Sequence, residues 1–131
     1  MKLLLDTCVF LWFINGDRHL PNSIYEKIRE PKNEVFLSPV SIWECIVKHQ
    51  IGKLFLPKSP AEYLLAQRER HKISSLPLDE SSVVHLSDLP PIHRDPFDRM
   101  LICQAIEHQM TLVTVDNIIR SYPVEILVDS Q

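Results

Sequence analysis

Three stretches set acidic side chains where strands stop and helices start. His93-Arg94-Asp95-Pro96-Phe97-Asp98-Arg99 opens an apolar run late in the chain, and Leu3-Leu4-Leu5-Asp6-Thr7 begins it. Thr111-Leu112-Val113-Thr114-Val115-Asp116 repeats the pattern of an apolar strand ending on an aspartate. A fourth acid, Glu44, lies one turn into the helix expected after Ser38-Pro39. A site built from carboxylate oxygens alone suits a hard divalent cation such as Mg²⁺ or Mn²⁺.

Each acid also has an ordinary structural role. Asp6 directly precedes an expected helix, and aspartate is among the best N-caps. Ser41-Ile42-Trp43-Glu44 has the spacing of a capping box, and Glu44 with Lys48 that of an i,i+4 ion pair. Asp95 followed by Pro96 reads as N-cap and first helical residue. Asp98 then falls on the third helical position, where the positive end of the helix dipole favours a carboxylate. One cap is enough, so Asp95 is the structural candidate and Asp98 the ligand candidate. Asp116 could cap the turn beginning at Asn117. These roles do not account for the set. Carboxylates gathered on one edge repel one another unless a cation neutralises them.

The elements that must position these residues follow from the apolar pattern. Leu3 to Leu5 reads as a strand buried on both faces, and a helix follows to about Ile14, stopped at Asn15-Gly16. Pro21 starts a second helix, with Ile24 and Ile28 on one side, ending before Pro31. Val35 to Leu37 is a strand, and Ser38-Pro39 opens a helix to about Gln50 with an apolar stripe of Ile42, Trp43, Ile46 and Val47. A helix from Pro60 to His71 pairs with it, a third strand falls within Lys72 to Leu78, and Asp79 caps a helix carrying Val83, Val84 and Leu86. Pro96 begins a helix through Leu101, Ala105 and Ile106. Strands at Thr111 to Val115 and Val124 to Val128 flank a short helix or turn from Asn117 to Tyr122. Strands alternating with helices imply right-handed crossovers, hence an α/β fold of three layers around a mostly parallel sheet. Sites in such sheets form at the carboxyl ends of the strands, where Asp6 and Asp116 fall.

The chain's 131 residues suit a single domain spanning 1–131, and 45% apolar with 24% charged residues is enough to build a core. A net charge of -3 excludes general attraction to nucleic acid, so any such contact must come from a local basic patch. With only Gly16 and Gly52, Gly-rich phosphate loops are excluded. Cys8, Cys45 and Cys103 lack zinc-site spacing and read as reduced core residues of a cytoplasmic protein. The apolar start mimics a signal peptide, but Asp6 interrupts it and the run is too short to span a bilayer, so no membrane association is expected.

Taken together, the opening Leu3 to Thr7, Ser41-Ile42-Trp43-Glu44 after Ser38-Pro39, His93 to Ile102, and Thr111 to Asp116 resemble a PIN-domain ribonuclease. More specifically, they resemble a VapC toxin of a type II toxin–antitoxin pair, and the resemblance runs nearly the length of the chain. It implies an acidic quartet of Asp6, Glu44, Asp98 and Asp116 holding one or two Mg²⁺ or Mn²⁺ ions. It also implies RNA phosphodiester hydrolysis, a small cognate antitoxin and a homodimer. Within that reading Arg94 and Arg99 are candidates to hold RNA phosphates, though each could equally solvate the surface or pair with Asp95. Ser41 and Thr114 are candidate supporting residues, and His93 is assigned a positioning or solvent-facing role. The alternative is a PIN-fold module that binds antitoxin or RNA with little catalysis. An aspartate-nucleophile phosphatase is disfavoured, because Cys8 stands where an Asp-x-Asp motif needs its second aspartate. The reading loops do not specify which RNA is cut.

Overall fold

Strand β1 (Lys2–Leu5) runs through the centre of the structure, a computed structural model that describes residues 1–127. Its three leucines are wholly buried because β1 has a hydrogen-bonded neighbour on each side and helices on both faces. Alternation of side chains sorts them between two cores. Leu3 and Leu5 pack with Phe10, Ile24, Cys45 and Leu64, whereas Leu4 packs with Leu101, Ile102, Leu112 and Ile119. The first group draws on helices α1 (Thr7–Asn15), α2 (Asn22–Arg29), α3 (Pro39–Gln50) and α4 (Pro60–Arg70). The second draws chiefly on α6 (Pro96–Glu107), which follows the short α5 (Glu80–Val83). The result is a three-layer α/β/α arrangement.

Five described strands form a wholly parallel sheet in the order β3-β2-β1-β4-β5, with β2 at Glu34–Leu37, β3 at Ser74–Ser75, β4 at Thr111–Val113 and β5 at Ile126–Leu127. The chain steps outward from β1 to β2 to β3, then crosses back to β4 on the other side of β1. Strand order therefore reverses between β1 and β4, which opens a crevice at their carboxyl ends. The Asp6 N–H donates to the Val113 carbonyl at 3.0 Å, extending the β1–β4 ladder by one residue and fixing Asp6 at that crevice.

Local chemistry sets the boundaries. Gly16 ends α1 at a φ of 61°, a left-handed conformation that glycine adopts without strain. Proline is the first residue of α3, α4 and α6, as its fixed φ and missing N–H favour. Several expected elements are shorter than their apolar runs. β4 stops at Val113 because the Thr114 hydroxyl accepts the Asp116 N–H at 3.1 Å and turns the chain. The third strand is reduced to two exposed residues, following Lys72 at a φ of 58°. The helix after Asp79 tightens after Val83 into a 3₁₀ turn, Val84–Ser87, which leaves Val84 exposed. The turn after Asp116 is also 3₁₀, spanning Asn117–Ser121. The expected last strand is seen as Ile126–Leu127, and Val128 lies outside the described residues. Among the described residues, no helix is long and apolar enough to cross a membrane.

Candidate functional site

The crevice at β1 and β4 is a cleft of about 240 Å³ whose lining includes Asp6, Glu44, Asp98 and Asp116. Four separate elements deliver them. Asp6 caps α1, its Oδ1 accepting the Val9 N–H at 2.7 Å. Glu44 projects from the second turn of α3, Asp98 from the first turn of α6, and Asp116 caps the turn after β4 by accepting the Ile118 N–H at 2.9 Å. All four sequence candidates are brought together.

Asp95 and Asp98 divide their roles as the Asp-Pro start suggests. The Asp95 carboxylate accepts the N–H groups of Phe97 at 2.8 Å and Asp98 at 3.4 Å. Asp98 is left to face the cleft. The capping box expected of Ser41 and Glu44 does not form, because α3 begins three residues earlier. Ser38 is its cap and accepts the Val40 N–H at 3.0 Å.

Ser41 and Glu44 belong instead to a buried polar chain. Thr7 Oγ1 lies 2.9 Å from Ser41 Oγ and 2.6 Å from Glu44 Oε1. A carboxylate only accepts, so the Thr7 proton goes to Glu44 and the Ser41 proton completes the other contact. The Lys48 ammonium, one turn further along α3, donates to Glu44 Oε2. Both oxygens of this nearly wholly buried carboxylate are thus engaged.

His93 does more than the sequence suggests. Its Nε2 lies 3.0 Å from Asp98 Oδ2 and 2.9 Å from Asp116 Oδ2. These three side chains have the proximity of a metal-binding group. The other ring nitrogen argues against ligation, because Nδ1 accepts the Asp95 N–H at 3.2 Å. Nε2 then carries the proton, whereas a ligating imidazole donates from its other nitrogen. His93 is therefore a donor that ties Asp98 to Asp116. Tyr122 seats it, its hydroxyl accepting the N–H groups of Ile92 at 3.0 Å and His93 at 2.6 Å.

Electrostatics single out two of the acids. Burial pushes the Asp6 carboxyl up to about 6, opposed by hydrogen bonds from Thr114 and the Val9 N–H, with the charges of Glu44 and Asp116 adding to the rise. Burial, then the charges of Asp95, Glu44 and Asp6, push Asp98 up to about 7, with His93 opposing. Both would hold their charge more readily beside a cation. Lys48 lies above its usual value: burial pulls it down, but the hydrogen bond and charge of Glu44 outweigh that. The donor set fits a divalent ion: Asp6, Asp98 and Asp116 line one cleft, and Asp6 and Asp98 are pushed up by burial and like charge that a cation would offset.

The remaining candidates fall elsewhere. Thr114 is buried, bonding to Asp6 and accepting from the Asp116 N–H, so it links β4 to both acids. Arg99 turns to the loop before α6, donating to the Pro90 carbonyl at 3.0 Å and the Tyr122 hydroxyl at 3.4 Å. Arg94 is exposed on the segment that carries His93. Cys8 is exposed at the cleft and is not a core residue, unlike Cys45 and Cys103. The sequence reading missed Thr7 as a member of the site and saw Lys48 only as a surface partner of Glu44. The pairing signal was the i,i+4 spacing. Nothing local announces Tyr122, which reaches the site from 29 residues away in sequence.

A doubly covered parallel sheet with a carboxylate cleft at its switch point defines the class: an α/β domain with an acidic edge. The chain belongs to the PIN domain family, whose profile matches residues 3–125. No curated protein matches the sequence. Among solved structures, it is similar in fold to VapBC2 from Rickettsia felis bound to a DNA fragment from their promoter, with 16% identity, 100% of each chain covered and a TM-score of 0.73. It is likewise similar to DNA-bound VapBC from Salmonella typhimurium, with 18% identity, 98% of each chain covered and a TM-score of 0.69. VapBC-1 from nontypeable Haemophilus influenzae gives 17% identity, 97% coverage of each chain and a TM-score of 0.64.

Proposed function

We propose that this protein is a divalent-metal-dependent ribonuclease and the toxin of a toxin–antitoxin pair. The observation that carries the proposal is the convergence of Asp6, Glu44, Asp98 and Asp116 on one cleft at the β1–β4 switch point. Family membership and the fold shared with the VapBC structures support it.

Asp6 and Asp98 would hold the metal, with Asp116 beside them. A bound Mg²⁺ or Mn²⁺ relieves charge on phosphoryl oxygens and eases deprotonation of a water. The protein's own residues supply the rest. Thr114 orients Asp6, Asp95 frees Asp98 by capping α6, and the His93 donor fixes the spacing of Asp98 and Asp116. Water attacks phosphorus as the bond to the leaving ribose oxygen breaks, and that oxygen takes up a proton.

A groove of about 340 Å³ between α3 and α4, lined by Ile42, Trp43, Ile46 and Leu65, supports an antitoxin partner. Trp43 is 58% exposed there, too open for an ordinary core residue, and its ring meets Phe97 edge-on at 4.8 Å. An amphipathic antitoxin helix would cover this stripe, and a homodimer would form through another face. The test is cleavage of a structured RNA by purified protein with Mn²⁺. Cleavage that EDTA stops supports the proposal, and cleavage indifferent to EDTA, or none, refutes it.

A further inference from the structure

We infer that Lys48, anchored by Glu44, is the cation that grips the scissile phosphate in the cleft, so that Glu44 is the anchor of a lysine and not a metal ligand. The inference rests on the nuclease reading and assigns Glu44 and Lys48 roles within it.

The two oxygens of Glu44 are committed inside the protein. Oε1 accepts from Thr7 at 2.6 Å and Oε2 from the Lys48 ammonium, while Glu44 as a residue is 3% exposed. Each oxygen keeps a further lone pair, but the Lys48 ammonium already neutralises the Glu44 charge, so Glu44 offers a cation less than Asp6 and Asp98 do. Asp6 and Asp98 have no such basic partner built on their own helix.

Among the described residues that line the cleft, Lys48 is the only basic one, and its side chain is 44% exposed against 4% for that of Glu44. The charge is therefore held at its base by a buried carboxylate while remaining open to a ligand. An ammonium has three donors and one is spent on Glu44, which leaves two for phosphoryl oxygens. The charges of Asp95 and Asp98 also act on it, which places it in the same field as the candidate metal ligands. A phosphodiester entering the cleft would meet this ammonium as well as a cation held at Asp6 and Asp98. Lys48 transfers no proton in the reaction. It stays charged while the water–phosphorus bond forms and the bond to the ribose oxygen breaks.

The experiment joins Mn²⁺ binding, read by the electron paramagnetic resonance signal of free Mn²⁺, to single-turnover cleavage at saturating RNA. Wild type, Glu44→Gln, Lys48→Gln and Lys48→Arg are compared as full chains, with circular dichroism melts to verify folding. One Mn²⁺ per chain is expected, with affinity within about threefold of wild type in Lys48→Arg and Glu44→Gln and no weaker in Lys48→Gln. Lys48→Gln should slow cleavage by about a hundredfold, the loss typical of one transition-state donor. Lys48→Arg should recover at least a tenth of the wild-type rate. A tenfold or greater loss of Mn²⁺ affinity in folded Glu44→Gln, or a second Mn²⁺ that Glu44→Gln removes, would overturn the anchor role. Should Glu44→Gln fail to fold, wild-type stoichiometry and the two Lys48 variants decide: two ions per chain, or cleavage in Lys48→Gln within threefold of wild type, sinks the proposal. A wild type that binds Mn²⁺ and cleaves no RNA instead refutes the nuclease reading.

Discussion

At the start of α6, hydrogen bonds separate two aspartates that composition alone makes equivalent. Asp95 spends its carboxylate on backbone N–H groups, so Asp95→Asn, which keeps an accepting oxygen, should cost well under the ~1 kcal/mol typical of losing a cap. Asp6 accepts hydrogen bonds from Val9 and Thr114 and Asp98 one from His93, yet burial and neighbouring charge outweigh them and push the two carboxyls up to about 6 and about 7. Each binds its proton more tightly folded than unfolded. Their contribution to stability is therefore fully present below the unfolded carboxylate value of 3.8 and is lost as pH rises through about 6 to 7. Thermal melts of metal-free protein should show a wild type that loses ground to Asp98→Asn as pH is raised from 4 to 7.5. A difference between the two that does not change with pH would show that Asp98 feels no such repulsion. Sequence made Asp6, Asp95 and Asp98 legible because capping and strand-end rules act over a few residues. It left His93 undecided, because its partners Asp98 and Asp116 meet only when α6 docks beside β4.

Elements place the acids more firmly than any loop would. β1 is flanked by β2 and β4 and covered on both faces, so Leu4→Ala, at a wholly buried position, should cost about 2–5 kcal/mol in denaturant unfolding. A loss below about 1 kcal/mol would mean that the second core is far looser than its packing indicates. On α3, Trp43 contributes mainly an edge contact with Phe97, so Trp43→Ala should cost only about 0.5–1.5 kcal/mol. The same change should weaken binding of a partner helix much more, by calorimetric titration, if the α3–α4 groove receives one. A large loss of stability with unchanged partner affinity would return Trp43 to the core. Helix starts were legible to within a residue or so because proline and the capping residues mark them. Strand ends were less so: the apolar run of Thr111 to Val115 conceals the turn that Thr114 makes by bonding the Asp116 N–H. The groove was legible only as an apolar stripe, since what leaves Trp43 exposed is the position of α4 and not the sequence of α3.

Across the whole molecule, the proposed ribonuclease activity requires a protein with a net charge of -3 to bring RNA phosphates to an acidic cleft. Local cations would have to offset that field, and the proposed metal would be the largest of them. Metal that binds only the folded protein stabilises it by mass action, by about 2.7 kcal/mol at a hundred times its Kd. Mn²⁺ should accordingly raise the melting temperature of wild type and of Asp95→Asn, but do little for Asp98→Asn. If Asp98 holds a metal that cleaves RNA and Asp95 only caps α6, one assay that compares these two neighbours tests it most directly. With Mn²⁺ and a structured RNA, Asp98→Asn should lower the cleavage rate on the order of a hundredfold or more, while Asp95→Asn stays close to wild type. Equal losses in both variants, or cleavage that survives in Asp98→Asn, would contradict it.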